Sequence, residues 1–209
     1  MIATTLLSSS IFFKRQDACI REINDSDGAV CVNRKFPNAK KNRGAKAMST
    51  GRLEVICGED SSGKTAMALG RALQALTEQK TVIVIQFLKG SEKTGNLEVL
   101  KRMEPELKVF RFEKSDRYFA ELSDAEKKDE EINIRNGLNY AKKVLTTEEC
   151  DLLVLDEALG LVDQNIVTEE EMAGILSCRD QVQVIVTGKV LPEGLSRIAD
   201  KVEKVDCCK

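Results

Sequence analysis

A glycine-rich stretch at residues 58–65, Gly-Glu-Asp-Ser-Ser-Gly-Lys-Thr, carries the clearest chemistry in this chain. It fits the phosphate-loop pattern G-x-x-x-x-G-K-[ST] in full. In such a loop the backbone N–H groups surround phosphate oxygens, and the helix that follows adds the positive end of its dipole. Lys64 can reach the outer phosphates, and the Thr65 hydroxyl can ligate magnesium. The pattern predicts a nucleoside triphosphate site made of Gly58, Glu59, Asp60, Ser61, Ser62, Gly63, Lys64, Thr65 and Ala66.

The flanks of this loop favour a working site over a chance glycine- and serine-rich turn. The apolar run 53–57 leads in as a strand, and residues 66–76 lead out with helical character. A phosphate loop needs this strand–loop–helix context, because the helix must begin where the phosphates lie.

A second motif, the acidic pair Asp156-Glu157, follows the apolar run 152–155. Many strands end in an acid, so the motif is weak by itself. The loop lies about 90 residues upstream, and in one open sheet both would meet at the carboxyl edge of the strands. Carboxylates there can hold magnesium directly or through water. We therefore predict Thr65, Asp156 and Glu157 as ligands of Mg²⁺ or Mn²⁺.

Two shorter polar runs also follow predicted strands. These are Gln86-Phe87-Leu88-Lys89-Gly90 and Thr187-Gly188-Lys189. Ligands of open α/β sheets bind outside such strand ends, which makes Gln86, Lys89, Thr187 and Lys189 candidate nucleotide contacts. The alternative for each of them is an ordinary solvated loop residue.

The remaining pattern alternates strands with helix-length segments. Capping signatures at Ser123–Glu126 and Thr168–Glu171 predict two helix starts. This alternation predicts an α/β fold, a single P-loop NTPase-like (RecA-like) domain with a mostly parallel sheet of about six strands and helices on both faces. The other predicted strands are 81–87, 107–112, 151–155, 181–186 and 201–205, with a further helix over 192–199.

The chain contains no histidine and no tryptophan. The absence of histidine excludes the commonest general base and the catalytic triads built on it. Any chemistry must therefore use backbone dipoles, lysine or arginine, carboxylates, a metal ion or an intrinsically reactive substrate.

Charge divides the chain into two parts. Residues 1–47 hold nine of the 32 basic and four of the 34 acidic residues, so residues 48–209 hold 23 basic and 30 acidic ones. An acidic domain argues against nucleic-acid binding. We expect residues 1–47 to be a disordered extension, an upstream translated segment, with Met48 as the physiological start of a domain over 48–209.

Seven cysteines show neither C-x-x-C nor zinc-ligand spacing. An odd count in a nucleotide-binding protein favours reduced thiols and a cytoplasmic location. No apolar run approaches the length that spans a membrane.

The loop, QFLKG, VLDE and TGK, in this order and spacing, resemble the ATP:corrinoid adenosyltransferases of the cobalamin-pathway type. The resemblance runs from about Arg52 to Val205. QFLKG together with the TGK strand end is its most specific part, because phosphate loops occur in many families.

The resemblance implies an enzyme that transfers the 5′-deoxyadenosyl group of ATP to the Co(I) of a reduced corrinoid and releases triphosphate, in adenosylcobalamin synthesis or salvage. Lys64 and the loop amides would bind the triphosphate, and Thr65 with Asp156 and Glu157 the metal. Tyr118 and Phe119 are the nearest candidates for the aromatic corrinoid contacts of the family. The resemblance also implies a homodimer and a flavodoxin-like reductant.

The loop departs from the family pattern T-G-[ND]-G-K-G-K-T-T. Four residues, Glu59 to Ser62, separate the first glycine from Gly63-Lys64-Thr65, where the family has three. The conventional spacing favours phosphate binding.

Two alternative functions remain. One is a nucleoside kinase or ATPase of the P-loop class, and the other is a non-catalytic relative that carries ATP or a corrinoid.

If Met48 is the physiological start, a digest of the native protein analysed by mass spectrometry will contain peptides from the domain and none from residues 1–47. Any peptide from upstream of Met48 would contradict this prediction.

Overall fold

The computed structural model describes residues 51–90 and 99–206, and this part of the chain folds around one six-stranded parallel sheet. The spatial order of the strands is β3-β2-β4-β5-β1-β6. The predicted α/β architecture, a parallel sheet of about six strands with helices on both faces, is confirmed, with strand bounds that move by one or two residues. The strands are β1 (Leu53–Gly58), β2 (Val82–Gln86), β3 (Leu107–Arg111), β4 (Leu152–Asp156), β5 (Gln183–Gly188) and β6 (Lys201–Val205).

Helices cover both faces of the sheet. Ser123 caps one of them by accepting a hydrogen bond from the Glu126 amide, and Thr168 caps another through the Glu171 amide, as the capping signatures predict. The short helix α3 was not predicted, because its few apolar residues show no helical period. The helices are α1 (Lys64–Thr77), α2 (Asp124–Thr147), α3 (Leu159–Asp163), α4 (Glu169–Leu176) and α5 (Glu193–Ile198).

The strands are apolar on both faces because each face packs against helices. Alternate residues of a strand point to opposite sides, so Val55 and Ile56 enter different cores. The larger core contains residues of α2, α3, α4 and α5. The smaller core contains three of the four alanines of α1, namely Ala68, Ala72 and Ala75.

The strand order brings the predicted motifs to one edge of the sheet. β5 lies between β1 and β4, and β2 lies on the other side of β4. Because all these strands are parallel, the loops that follow them leave from the same carboxyl edge. The phosphate loop after β1 therefore meets the polar residues that end β2, β4 and β5, at the place where open α/β sheets bind ligands.

Some predictions fall on residues that the structure does not describe. The extension over 1–47 and Met48 as the start of the domain lie outside the described residues. Within the described part, no helix is both long and apolar enough to cross a bilayer.

Two glycines inside helices give a matched test of this packing. A Cβ on Gly137 of α2 would lie 2.9 Å from Phe87 Cε1 and 3.0 Å from Phe112 Cδ2, whereas a Cβ on Gly70 of α1 would meet nothing within 4 Å. Both substitutions to alanine gain about 1 kcal/mol of helix propensity. Only Gly137→Ala also overpacks the core, at a cost of about 1–3 kcal/mol.

We expect Gly70→Ala to raise the free energy of unfolding by about 0.5–1 kcal/mol and Gly137→Ala to lower it by up to about 2 kcal/mol, because the cost of overpacking exceeds the gain in helix propensity. Urea denaturation of both variants measures the difference. A Gly137→Ala variant as stable as Gly70→Ala would show that α2 packs less closely than described.

Candidate active site

The phosphate loop turns sharply between β1 and α1. Gly63 caps α1 with a φ of 92°, in the left-handed region that glycine adopts without strain. Gly58 lies so close to β6 that a Cβ there would be 2.3 Å from the Val205 carbonyl oxygen. Within the loop the Ser62 amide donates to the Glu59 carbonyl at 3.2 Å. The two glycines are thus required by the backbone path that brings the amides of the loop to the start of α1.

Lys64 is almost fully buried under this loop. Its ammonium donates to the carbonyl oxygens of Gly58 and Glu59, at 2.8 and 2.9 Å. The cation therefore lies at the concave side of the loop, where it is placed to meet an anionic ligand of the loop amides.

The Asp156 carboxylate is the most densely bonded group at this edge, and it is 1% exposed. Its Oδ1 accepts from the hydroxyls of Thr65 (2.9 Å) and Thr187 (2.8 Å). Its Oδ2 accepts from the amide of Gln86 (3.2 Å) and lies 3.3 Å from the ammonium of Lys89. A buried carboxylate remains charged only where such partners replace water. Four residues of the predicted site thus converge on Asp156.

Lys89 reaches this group from a strained loop. Leu88 before it has a φ of 54° and Gly90 after it a φ of 40°. The Leu88 amide donates to Glu113 Oε1 at 2.5 Å, which fixes the turn. The Lys89 ammonium also donates to Thr65 Oγ1 at 3.0 Å. The motif QFLKG therefore delivers a buried cation to the threonine of the phosphate loop.

Glu157 lies next to this cluster in an unusual backbone conformation. Its φ is 61°, and its amide donates to the Thr187 hydroxyl at 2.8 Å. Burial raises the pKa of its carboxyl, against the opposing charges of Lys64 and Lys89. A carboxylate held near two lysines by a strained backbone is a functional candidate.

Lys189 lies on the solvent side of the loop. Its ammonium is 2.6 Å from Glu59 Oε2 and 3.9 Å from Asp60 Oδ2. The hydrogen bond from Lys189 lowers the pKa of the Glu59 carboxyl, and Glu59 raises the pKa of Lys189 in turn. These groups are exposed, so water and salt screen the pair. The TGK strand end thus offsets part of the negative charge of the loop.

Tyr118 and Phe119 lie beside the Lys89 loop and are not among the described hydrogen-bond or ion-pair partners of Asp156. A Cβ on Gly90 would be 2.9 Å from the Arg117 carbonyl and the Tyr118 amide nitrogen, so the two segments touch. Tyr118 is exposed, whereas Phe119 packs partly against the core with Lys127 6.0 Å from its ring centroid. One aromatic ring is therefore available at the surface next to the site.

A buried carboxylate of α2, Glu130, anchors this aromatic segment. It accepts from the backbone amides of Lys114 (3.0 Å) and Ser115 (2.7 Å) and from the side-chain amide of Asn133 (3.2 Å). The three donors satisfy a carboxylate that is only 6% exposed. The start of α2 thus positions the segment that bears Tyr118.

The structure therefore divides the predicted site residues into three groups. The first is the buried cluster around Asp156, the second is the exposed loop acids with Lys189, and the third is the aromatic pair. The backbone of Ser61, Ser62 and Ala66 belongs to the loop and the first turn of α1. The cluster around Asp156 consists of the buried Lys64, Gln86, Lys89, Asp156 and Thr187 and the half-buried Thr65 and Glu157.

Arg71 lies away from this edge. It pairs with Glu54 at 3.2 Å and with Glu203 at 2.7 Å, which ties α1 to β1 and β6. Arg71 and Glu54 border a polar cleft at the amino-terminal edge of the sheet. Because that edge is opposite to the phosphate loop, Arg71 has a structural role here.

Sequence reasoning did not single out Arg111, Glu113 or Glu130. A signal for the first two was available, because Arg111 and Glu113 interrupt the apolar run V-F-R-F-E at the end of β3. Arg111 ends β3 just as Gln86 ends β2, and the two residues are paired in register. Glu130 gave no signal, because one acid among many on a polar helix resembles a solvated residue.

The family model and the relatives found by sequence agree on one family. A family model described as ATP:corrinoid adenosyltransferase BtuR/CobO/CobP matches residues 49–209. The corrinoid adenosyltransferase of Escherichia coli K12 is 26% identical over 168 residues, which cover 78% of this chain and 81% of that protein. The corrinoid adenosyltransferase CobA of Salmonella typhimurium is 26% identical over 179 residues, which cover 83% of this chain and 82% of that protein.

The corrinoid adenosyltransferase of Pseudomonas aeruginosa is 25% identical over 185 residues, with 85% of this chain and 82% of that protein covered. Among solved structures, a KaiC-like protein of Pyrococcus horikoshii superposes with a TM-score of 0.48 and 16% identity, over 74% of this chain and 71% of that one.

The half-buried acid Glu113 leads to a pH-dependent prediction. Burial raises the pKa of its carboxyl above the ordinary value, and the nearby negative charge of Glu130 acts in the same direction, while Arg111 and backbone amides oppose it. The folded state therefore binds this proton more tightly than the unfolded chain. It follows that Glu113 subtracts stability as the pH rises from its unfolded pKa, about 4.3, through the raised folded pKa.

Glu113→Gln keeps an oxygen that can accept the hydrogen bond of the Leu88 amide, and it removes the negative charge that burial disfavours. We expect a higher thermal midpoint than wild type at neutral pH and no difference once the pH falls below about 4. Glu106→Gln, at an exposed position before β3, is the matched control. Scanning calorimetry across this pH range tests the sign, and a lower midpoint for Glu113→Gln at neutral pH would contradict it.

Proposed function

The chain belongs to the ATP:corrinoid adenosyltransferase family, and we propose that it transfers the 5′-deoxyadenosyl group of ATP to the Co(I) of a corrinoid. The cobalt lone pair attacks the ribose C5′ and forms the Co–C bond. The bond from C5′ to the α-phosphate oxygen breaks, and its electron pair leaves with the triphosphate. Cobalt is formally oxidised from Co(I) to Co(III), so no other oxidant or reductant takes part in this step.

The observation that carries this proposal is a phosphate loop with two buried lysines, Lys64 and Lys89, in a chain that has no histidine. Co(I) is a strong nucleophile without deprotonation, so the reaction requires no protein base. What it requires is alignment of cobalt with C5′ and stabilisation of the negative charge that develops on the leaving triphosphate. The loop amides and Lys64 supply donors and positive charge at that place.

Magnesium, or Mn²⁺ in its place, fits the residues present. Thr65 Oγ1 and Asp156 Oδ2 already converge on a cation, the Lys89 ammonium, at 3.0 and 3.3 Å. Hydroxyl and carboxylate oxygens are the ligands that magnesium prefers beside substrate phosphates. We propose Thr65, Asp156 and Glu157 as its protein ligands. The ion would neutralise part of the triphosphate charge.

The remaining candidates take supporting roles in this proposal. Lys89 adds a cation near the outer phosphates, and Thr187 orients Asp156 and the Glu157 backbone. Lys189 offsets Glu59 and Asp60, whose charges would otherwise repel the triphosphate. This pairing supports phosphate binding by a loop that is more acidic than the family pattern.

The corrinoid is proposed to lie beyond the Lys89 loop, against the segment that bears Tyr118 and Phe119. The exposed Tyr118 ring offers an apolar face, and Glu130 holds its segment in place. In keeping with the family, we propose a cytoplasmic homodimer that acts in adenosylcobalamin synthesis or salvage, with a flavodoxin-like reductant that supplies the electrons for Co(I).

The direct test is an anaerobic incubation with ATP, magnesium and chemically reduced cobalamin. We expect the light-sensitive absorbance of a cobalt–carbon bond. Lys64→Ala should lower the rate by about 100-fold or more, because it removes a charged donor to the leaving group. Lys142→Ala, an exposed substitution on α2, serves as the control and should leave the rate unchanged.

Two results would contradict the proposal. One is tight ATP or corrinoid binding by wild type without any Co–C product, which would indicate a carrier or regulator. The other is ATP consumption that is independent of the corrinoid, which would indicate a kinase or ATPase.

A further inference from the structure

Three polar residues stand directly opposite one another across the ends of three neighbouring strands. Gln86 of β2 pairs in register with Asp156 of β4 on one side and with Arg111 of β3 on the other. Residues paired across adjacent strands present their side chains on the same face of the sheet. Arg111, Gln86 and Asp156 therefore form a row, which we call the cross-strand row, on the face that carries α1.

Hydrogen bonds run along this row in one direction. Arg111 Nη2 donates to Gln86 Oε1 at 3.2 Å, and Gln86 Nε2 donates to Asp156 Oδ2 at 3.2 Å. A guanidinium can only donate, and a carboxylate can only accept. The charges at the two ends therefore allow a single orientation of the Gln86 amide, with its oxygen toward Arg111 and its nitrogen toward Asp156.

Because Gln86 and Asp156 are buried, the orientation of the Gln86 amide decides whether both side chains keep their hydrogen-bond partners. Gln86 is 6% exposed and Asp156 is 1% exposed, so water cannot replace a lost partner at low cost. Without Arg111, the Gln86 oxygen would lose its charged donor. Rotation of the amide would then turn that oxygen toward the Asp156 carboxylate, where two acceptors repel each other.

The row also determines how Asp156 presents its other oxygen. Gln86 and Lys89 hold Oδ2, which leaves Oδ1 to the hydroxyls of Thr65 and Thr187. Thr65 and Asp156 are the proposed magnesium ligands, and partners that orient a ligand are commonly worth 10–100-fold in metal affinity or activity.

We propose that Arg111 is a positioning residue that acts through Gln86 to orient Asp156 toward Thr65 and so strengthens the binding of magnesium-bound ATP. The inference rests on the proposed function, because it takes ATP with magnesium as the ligand of this edge. Among the described hydrogen bonds Arg111 contacts neither Asp156 nor Thr65, and its link to Asp156 runs through the amide of Gln86.

A double-mutant cycle on binding tests this route. ATP affinity is measured by isothermal titration calorimetry at saturating magnesium for wild type, Arg111→Met, Gln86→Leu and the double variant. We expect Arg111→Met to weaken binding by about 10-fold in the wild-type background and by less than about twofold when Gln86 is already leucine. Lys108→Met, an exposed substitution on the same strand, should change nothing.

A direct or long-range effect of the Arg111 charge on the triphosphate would persist with leucine at position 86. Equal losses in both backgrounds would therefore overturn the inference, as would unchanged affinity in Arg111→Met. If wild type fails to bind ATP, the proposed function fails instead, and the two failures are distinguishable.

Arg111→Lys keeps the inference testable if the methionine variant does not fold. Arg111 donates a single hydrogen bond to Gln86, so one lysine donor can replace it where a bidentate contact could not be replaced. We expect Arg111→Lys to retain most of the affinity of wild type in the Gln86 background. A loss as large as that of Gln86→Leu would contradict the positioning role.

Discussion

The buried carboxylate of Asp156 is the group on which the rest of the site depends. It lies at the end of β4 and joins α1 through Thr65, β2 through Gln86, β5 through Thr187 and the QFLKG loop through Lys89. A charge removed from water needs all these partners, and each partner in turn loses an acceptor if the carboxylate is removed. The strand order supplies them, because β5 and β2 are the two neighbours of β4.

The charges around this carboxylate suit a reaction in which a polyanion departs. Lys64 and Lys89 are buried beside the loop amides, and Lys189 offsets the acids on the solvent side. Charge stabilisation of this kind acts on a leaving group and needs no group that accepts a proton. A chain without histidine is therefore suited to a nucleophile such as Co(I), which is reactive without deprotonation.

Much of this could be predicted from the sequence because its signals are local. The spacing of Gly58, Gly63 and Lys64 and the paired acids after β4 follow from short patterns, and the two capping signatures predicted helix starts that the structure has. Arg111 and Glu113 could not be predicted as site residues, because their partners are distant in the chain. Gln86 and Leu88 are more than 20 residues away and meet them only across the sheet. The helix α3 could not be predicted, because its five residues are too few to show the periodicity of apolar residues typical of a helix.

The central claim is that the phosphate loop holds a leaving triphosphate rather than a phosphoryl group to be transferred. Phosphorus NMR of the anaerobic reaction with ATP, magnesium and reduced cobalamin tests it most directly. We expect inorganic triphosphate to appear in step with the adenosylated corrinoid. The appearance of ADP with orthophosphate or a phosphorylated acceptor, without triphosphate, would contradict it.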